Sequence, residues 1–245
     1  MNSTTDGAGP PARRPASVRT VARRVLLGAG VLSLLAGMVM FGYIGWRYQG
    51  TDMVANQRQA DLVKELQASF RYPTVTDVLG PQSPVTRLGE AEALIRIPRF
   101  GADYEVPLIE GVRGQDLAKG IGHYPGTEPG QIGNFAVTAH RVTNGDAFRD
   151  LAKLRPGDEV LVMVSGVTYT YELDTDPNDL VVPFSDTWVI EDVPMPPNGP
   201  PPAGMPALES EGPTVALITL TSCAEIFHSD DRLVAFGHLT GVTAT

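Results

Sequence analysis

The chain has 245 residues, of which 42% are hydrophobic and 19% charged, and its formal net charge is −9. That length suits one domain with additional segments, and the charged fraction is ordinary for a folded protein. The acidic balance argues against nucleic acid as the main partner, because nucleic-acid-binding domains present clusters of Lys and Arg.

The amino terminus differs in charge from the rest of the chain. Residues 1–24 carry five arginines against one aspartate, a charge of +4, which leaves −13 for the remainder. Residues 1–20 consist mostly of Ser, Thr, Gly, Pro and Arg, with few apolar side chains to bury. We therefore expect residues 1–24 to form a disordered cytoplasmic tail.

Residues 25–46 predict a membrane anchor. They contain no charged side chain, and a helix of this length spans ~33 Å at ~1.5 Å per residue, enough to cross a hydrocarbon core. Tyr43, Trp46 and Tyr48 resemble an interfacial aromatic belt. The run is too long for a cleaved signal peptide and no convincing cleavage site follows it, so an uncleaved anchor is favoured. The preceding arginines predict a single-pass cell-membrane protein whose remaining residues lie outside the cell.

Residues 47–89 are expected to form an extracellular stalk or linker. Residues 52–70 contain helix formers, with Val54, Leu62, Leu66 and Phe70 at roughly helical spacing, and predict a stalk or a flanking helix. Residues 73–89 are rich in proline and glycine, and a plain tether explains them better than a ruler of fixed length.

Residues 90–245 predict a mainly β domain. Many short strands separated by turns, with few helices, are typical of a barrel or a sandwich. The predicted strands are residues 93–97, 104–109, 135–139, 159–164, 167–173, 179–183, 215–220 and 233–236, and the short helices are 115–120 and 147–151. Residues 194–213 contain eight prolines, which cannot join a sheet. This Pro-rich loop is either a lid or a flexible surface insertion.

Three of these strands begin or end next to residues whose side chains are suited to catalysis. Cys223, the single cysteine, follows the apolar run 215–220, and Arg232 precedes the run 233–236. A third strand ends at His140. A lone buried cysteine usually behaves as a small hydrophobe. Together, however, Cys, His and Arg supply a nucleophile, an acid/base and a cation that stabilises an oxyanion.

The sequence around these residues resembles the sortases, the transpeptidases that attach proteins to Gram-positive cell walls. Residues 219–223, T-L-T-S-C, resemble the sortase signature T-L-x-T-C, with serine in place of the usual threonine. The segment around the sortase histidine resembles two stretches of this chain, residues 122–127 (G-H-Y-P-G-T) and residues 139–141 (A-H-R). Residues 232–234 resemble the strand that carries the sortase arginine. The block H-Y-P-G-T is most similar to class E. Residues 224–225, Ala-Glu, depart from the His-Pro pair often found there in that class.

The resemblance implies a fold and a reaction. The fold would be the eight-stranded sortase β-barrel with short helices, preceded here by one transmembrane helix. Cys223 would attack the Thr–Gly bond of a sorting signal like L-P-x-T-G or L-A-x-T-G on a secreted protein. Arg232 and a backbone N–H near the cysteine would stabilise the oxyanion, and His140 would act as general acid and base. An amine of a peptidoglycan precursor would then accept the acyl group.

The resemblance also implies substrate contacts for Tyr124, Thr221 and Ser222. It implies neither a cofactor nor a nucleotide, because a thioester conserves the energy of the cleaved peptide bond. No metal site is expected either, since the histidines lack ligand spacing and the neighbouring carboxylates fit solvated turns. Two alternatives remain open: a membrane-anchored cysteine peptidase that only hydrolyses, and a non-catalytic cell-wall-binding module.

Overall fold

A computed structural model describes residues 18–46, 51–71, 88–209, 212–223 and 230–244. The predicted disordered tail up to residue 17 and most of the predicted linker at 73–89 lie outside these residues. The chain divides into two compact units, Met1–Arg47 and Tyr48–Thr245.

The first unit contains helix α1 (Val18–Gly45). Residues 18–24, predicted as part of the disordered tail, therefore belong to the same helix as the apolar run. Within its segment Val21–Gly45, an 18-residue stretch has a mean hydropathy of 2.2, and none of that stretch is buried. Apolar side chains such as Leu26, Val39 and Phe41 are therefore exposed all around the helix. By length and composition, α1 is suited to cross a membrane, as the uncharged run predicts.

In the residues that the structure describes, the second unit contains nine strands. They are β1 (Ala91–Arg96), β2 (Val106–Glu110), β3 (Ile121–His123), β4 (Gly133–Thr138), β5 (Glu159–Val164), β6 (Val167–Leu173), β7 (Val181–Pro183), β8 (Ala216–Cys223) and β9 (Asp231–Ala244). Eight of them run in the order β6-β5-β1-β2-β3-β4-β8-β9, and pairing of β6 with β9 closes the sheet. The predicted eight-stranded barrel is confirmed. Strand β7 is additional, since it pairs only with the first part of β9.

The barrel interior follows from side-chain alternation along each strand. Phe135 and Val137 of β4, Ile218 and Leu220 of β8, and Leu233 and Ala235 of β9 all belong to the main core. The residues between them face outward. On that outer side lies a second apolar cluster formed by Val182, Trp188, Val189, Val234 and Phe236. Trp188 and Val189 come from the 3-10 helix Thr187–Ile190, so the chain that follows β7 covers the outer face of β9.

Helix α2 (Thr51–Arg71) confirms the predicted helix over residues 52–70 and packs against β1 and β2. Its buried residues are Ala55, Gln59 and Leu66, which are 2%, 7% and 9% exposed. Val54, predicted on the apolar face, is 44% exposed. The buried face of α2 is therefore rotated by one residue from the predicted face, because it contains polar Gln59 and leaves Val54 exposed.

Two further sequence predictions need correction. The helix predicted at 147–151 is absent: Ala147 and Phe148 are buried in the main core, and only Leu151–Lys153 forms a 3-10 helix. The short strand β3 was not predicted, because three residues carry too little periodicity. The helix predicted at 115–120 is confirmed as the single turn α3 (Gly114–Leu117). The described part of the Pro-rich loop, residues 194–209, contains neither strand nor helix.

Candidate active site

Strands β4, β8 and β9 are adjacent in the sheet, and the three predicted catalytic residues lie at or just beyond their ends. In the antiparallel pair β8–β9, Cys223 lies directly opposite Arg232. In the parallel pair β4–β8, Thr138 lies beside Thr221. His140 follows Thr138 by two residues, just as Cys223 follows Thr221. Cys223 and Arg232 are therefore direct neighbours, and His140 lies two residues beyond the last paired residue of β4. We call these three positions the row. The side chain of Cys223 and residues 224–229, with the predicted oxyanion N–H, lie outside the described residues.

The segment leading to His140 is tied to β8 beyond the end of β4. The Ala139 N–H donates to the Thr221 carbonyl at 3.3 Å, and the Ser222 hydroxyl donates to the Ala139 carbonyl at 2.8 Å. His140 itself is half-buried, and this burial lowers the pKa of its imidazole. Burial disfavours the charged form, so the neutral imidazole is the resting form at neutral pH.

Arg232 is buried, with 2% of its surface exposed. Its Nη2 donates to the main-chain carbonyls of Asp186 and Phe184, the latter at 3.5 Å, and the Phe184 ring centroid lies 5.5 Å from its Cζ. Its Nε is buried without a hydrogen-bond partner among the described residues. A guanidinium stays charged at any physiological pH. One donor of this buried cation is therefore available to a ligand.

Two threonines of β8, Thr219 and Thr221, lie on the outer face of the sheet and precede Cys223 along the strand. Thr219 lies opposite Phe236, and its hydroxyl donates to Asn134 Oδ1 at 2.6 Å. Thr221 lies opposite Val234, and its buried hydroxyl has no partner among the described residues. An unpaired buried hydroxyl is costly unless a ligand completes its hydrogen bonding. Thr221 thus offers a second free polar group two residues from Cys223.

The other two predicted substrate contacts have different surroundings. The Ser222 side chain is 1% exposed and already bonded to Ala139. It lies on the opposite face from Thr221, since successive strand residues alternate. Tyr124 is half-buried directly after β3, and its N–H donates to the Ala136 carbonyl at 2.9 Å. Contacts of Ser222 and Tyr124 with a substrate stay predictions.

Sequence reasoning gave His123 no role, yet it forms the centre of a buried charge cluster. The ring is fully buried, with Nδ1 at 2.7 Å from Glu110 Oε2 and 3.4 Å from Glu92 Oε1, and Nε2 at 3.1 Å from the Thr127 carbonyl. A carbonyl can only accept, so Nε2 carries a proton, and a carboxylate partner favours one on Nδ1. Burial alone would lower the pKa of His123, but the contacts with Glu92 and Glu110 outweigh it and raise the pKa to about 9. No sequence pattern links residues 92, 110 and 123, because only the barrel brings them together.

Ligand atoms of Glu92, His123 and Glu128 lie within 4.8 Å of one another, a spacing that suits a shared metal ion. Both ring nitrogens of His123 are already engaged, however, and a metal ligand must present a free nitrogen. The contacts fit an imidazolium held between carboxylates better than a metal ligand.

Known proteins that are similar to this chain in sequence and in structure include sortases. The family model for the sortase domain matches residues 95–240. Sortase D of Bacillus subtilis is 30% identical over 145 residues, which cover 57% of this chain and 71% of that protein. Sortase SrtE1 of Streptomyces coelicolor is 26% identical over 242 residues, which cover 93% of this chain but 60% of that protein.

Comparison with a solved structure shows that the fold is also that of a sortase. Sortase E from Streptomyces avermitilis superposes with a TM-score of 0.54 at 34% identity, over 64% of this chain and 93% of that chain. The similarity to class E that residues 123–127 indicate is confirmed by these relatives. The matched region contains the whole row formed by His140, Cys223 and Arg232. The chain belongs to the sortase family of cysteine transpeptidases.

Proposed function

We propose that this protein is a membrane-anchored sortase that joins secreted proteins to the cell wall outside the cell. Its substrate would carry a signal like L-P-x-T-G or L-A-x-T-G, cleaved between Thr and Gly, and its acceptor would be an amine of a peptidoglycan precursor. Helix α1 would be the anchor, oriented with its arginine-rich end in the cytoplasm.

The observation that carries this proposal is the position of Arg232. It lies opposite Cys223 across β8 and β9, buried, with Nε unpaired among the described residues. Burying a cation is costly unless its hydrogen bonds are satisfied, and carbonyls satisfy only its Nη2. An oxyanion that forms on the substrate beside Cys223 would supply the missing partner.

The first half-reaction transfers the acyl group to the enzyme. The Cys223 thiolate attacks the threonine carbonyl carbon, and the negative charge that develops on its oxygen is stabilised by Arg232. Neutral His140 takes the proton of the Cys223 thiol as the thiolate forms. The bond from carbon to the glycine nitrogen then breaks, and the resulting imidazolium donates that proton to the departing amine. The products are a thioester on Cys223 and a free peptide that begins with glycine.

The second half-reaction uses the same residues in reverse. Neutral His140 accepts a proton from the incoming amine while its nitrogen attacks the thioester carbonyl. The carbon–sulfur bond breaks, the Cys223 thiolate is released, and a new amide bond is formed. The lowered pKa of His140 suits this step, because it favours the neutral base at neutral pH.

The test is mass spectrometry of the detergent-solubilised full chain with peptides containing L-P-x-T-G or L-A-x-T-G, each with and without an added amine. We expect cleavage at Thr–Gly, a thioester on Cys223, and a peptide–amine product when amine is present. We also expect L-A-x-T-G to react at least as fast as L-P-x-T-G, as the similarity to class E indicates.

The matched control is Cys223→Ala, which removes the sulfur and should form neither thioester nor product. Water as the only acceptor, at any amine concentration, would instead identify a hydrolytic peptidase. Failure to cleave either peptide would contradict the proposed substrate class.

A further inference from the structure

His140 is the first residue of a loop that the barrel holds at its ends and that helix α2 contacts at its tip. This histidine loop comprises residues 140–148. At its base, the Phe148 N–H donates to the His140 carbonyl at 3.0 Å, and Phe148 is fully buried in the main core. Beside the base, the Tyr104 hydroxyl donates to the Ala147 carbonyl at 2.7 Å. The barrel therefore holds both ends of the loop but not its tip.

The tip of the loop has an unfavourable backbone conformation. Asn144, Gly145 and Asp146 have φ values of 56°, 84° and 37°. Glycine adopts a positive φ without strain, whereas other residues rarely do, even though Asn and Asp enter this region more often than the rest. Three consecutive positive values are therefore unusual. Such a conformation persists only when contacts outside the loop impose it.

Helix α2 provides such contacts to Asn144 and Gly145, whereas Asp146 Oδ2 accepts from Arg149 Nε. Asp52 Oδ1 accepts from the Gly145 N–H at 3.1 Å, and Gln59 Nε2 donates to the Asn144 carbonyl at 3.3 Å. Gly145 lies so close to the helix that an added Cβ would approach Gln59 Nε2 to 2.5 Å. A cleft of about 370 Å³ adjoins this contact, lined among others by Asn56 and Tyr104. Two hydrogen bonds and the close approach of Gly145 therefore hold the tip to α2.

We infer that α2 positions the catalytic histidine: Asp52 and Gln59 hold the tip of the histidine loop, and the loop sets the place of His140 relative to Cys223. Asp52 and Gln59 are positioning residues, since they act through the loop. This inference rests on the proposed role of His140 as acid and base. Displacing a catalytic group by about 1 Å lowers the rate by up to ~100-fold, so a loosened loop has a measurable cost.

The experiment compares three variants of the full chain in detergent. Asp52→Ala removes the acceptor for Gly145, whereas Asp52→Asn keeps a side-chain oxygen at the same place. Asp61→Ala is the control, because Asp61 is 75% exposed and its ion pair is with Lys64 of the same helix. We expect Asp52→Ala to lower kcat about tenfold with little change in KM. The other two variants should stay within about twofold of the unmodified chain.

A second measurement does not depend on peptide cleavage. Nuclear magnetic resonance of 13C-labelled imidazoles observes only four histidines in this sequence, and a His140→Gln variant assigns the His140 signal. In Asp52→Ala we expect the His140 signal to shift and its pKa to rise, because a loosened loop exposes the ring to water. Asp52→Asn should restore both values.

The outcomes separate the inference from the proposed function. An unshifted His140 signal in Asp52→Ala would overturn the positioning role, even if the melting temperature falls. A shifted signal in a protein that cleaves neither peptide would retain the contact between α2 and the loop and reject the proposed substrate instead.

Discussion

At the scale of single residues, Arg232 offers the sharpest test of the active site. Arg232→Lys keeps the charge but loses the planar set of donors that reaches two carbonyls and leaves Nε free. We expect kcat to fall by ~10²–10³-fold, the usual loss for one oxyanion donor. The melting temperature should fall only slightly, because the positive charge and most of the apolar stem remain.

Arg155 offers a matched control for this substitution. It also donates to main-chain carbonyls, at 2.6 Å to Leu154 and 3.0 Å to Ala152, but its side chain is 49% exposed and belongs to no catalytic row. Arg155→Lys should leave kcat within about twofold. If Arg232→Lys behaves like Arg155→Lys, Arg232 has a structural role only.

His123 predicts how stability depends on pH. Its pKa is raised from 6.5 to about 9 in the folded protein, so the stabilisation is fully present below about pH 6.5 and is lost as pH rises through 9. The loss should be on the order of 2–3 kcal/mol of the free energy of unfolding. Urea titrations at pH 6.5 and 10 measure it. His123→Gln should lose most of this dependence, and an equally steep loss in that variant would assign it to other groups.

At the scale of elements, sequence patterns succeeded where the determinants are local. The hairpin β5–β6 has the predicted bounds, because alternating apolar residues flank the turn at Ser165-Gly166, and Gly166 has φ 75°. The helix predicted at 147–151 was wrong because Ala147 and Phe148 pack into the barrel. The charge cluster around His123 was missed because the parallel pairing of β2 with β3 joins Glu110 to it. Cys223 ends β8 and Arg232 lies at the start of β9, close to where the sequence places them, and His140 follows β4 by two residues.

The seam that closes the barrel depends on a glycine. Gly237 of β9 pairs with Leu173 of β6, and an added Cβ would lie 2.5 Å from the Glu172 carbonyl oxygen. Gly237→Ala should therefore force the strands apart and cost about 1–3 kcal/mol of the free energy of unfolding, measured by urea denaturation.

Gly241 is the matched control on the same strand and the same seam. It pairs with Thr170, and an added Cβ would be 3.9 Å from the Thr170 Cβ, an ordinary contact. Gly241→Ala should change the free energy of unfolding by less than about 1 kcal/mol. Equal losses in the two variants would show that the close approach at Gly237 does not determine the effect.

At the scale of the whole molecule, charge and hydropathy predict the orientation. The arginines before the uncharged run 25–46 should hold the amino terminus in the cytoplasm and place the barrel outside. Protease added to intact spheroplasts should therefore digest the second unit, detected with an antibody against the barrel. Full protection of the barrel until detergent is added would show the opposite orientation, with the barrel in the cytoplasm.

Strand β9 also makes the order of folding predictable. It pairs with β6, β7 and β8 and carries Arg232, so the barrel cannot close, and the catalytic row cannot form, before residues 231–244 join the sheet. Pairings between strands so far apart in sequence form slowly, because a long loop must close first. A nascent chain that lacks β9 therefore has no closed barrel to resist threading through a membrane pore. In the proposed export, transport through the membrane would therefore precede formation of the row of His140, Cys223 and Arg232.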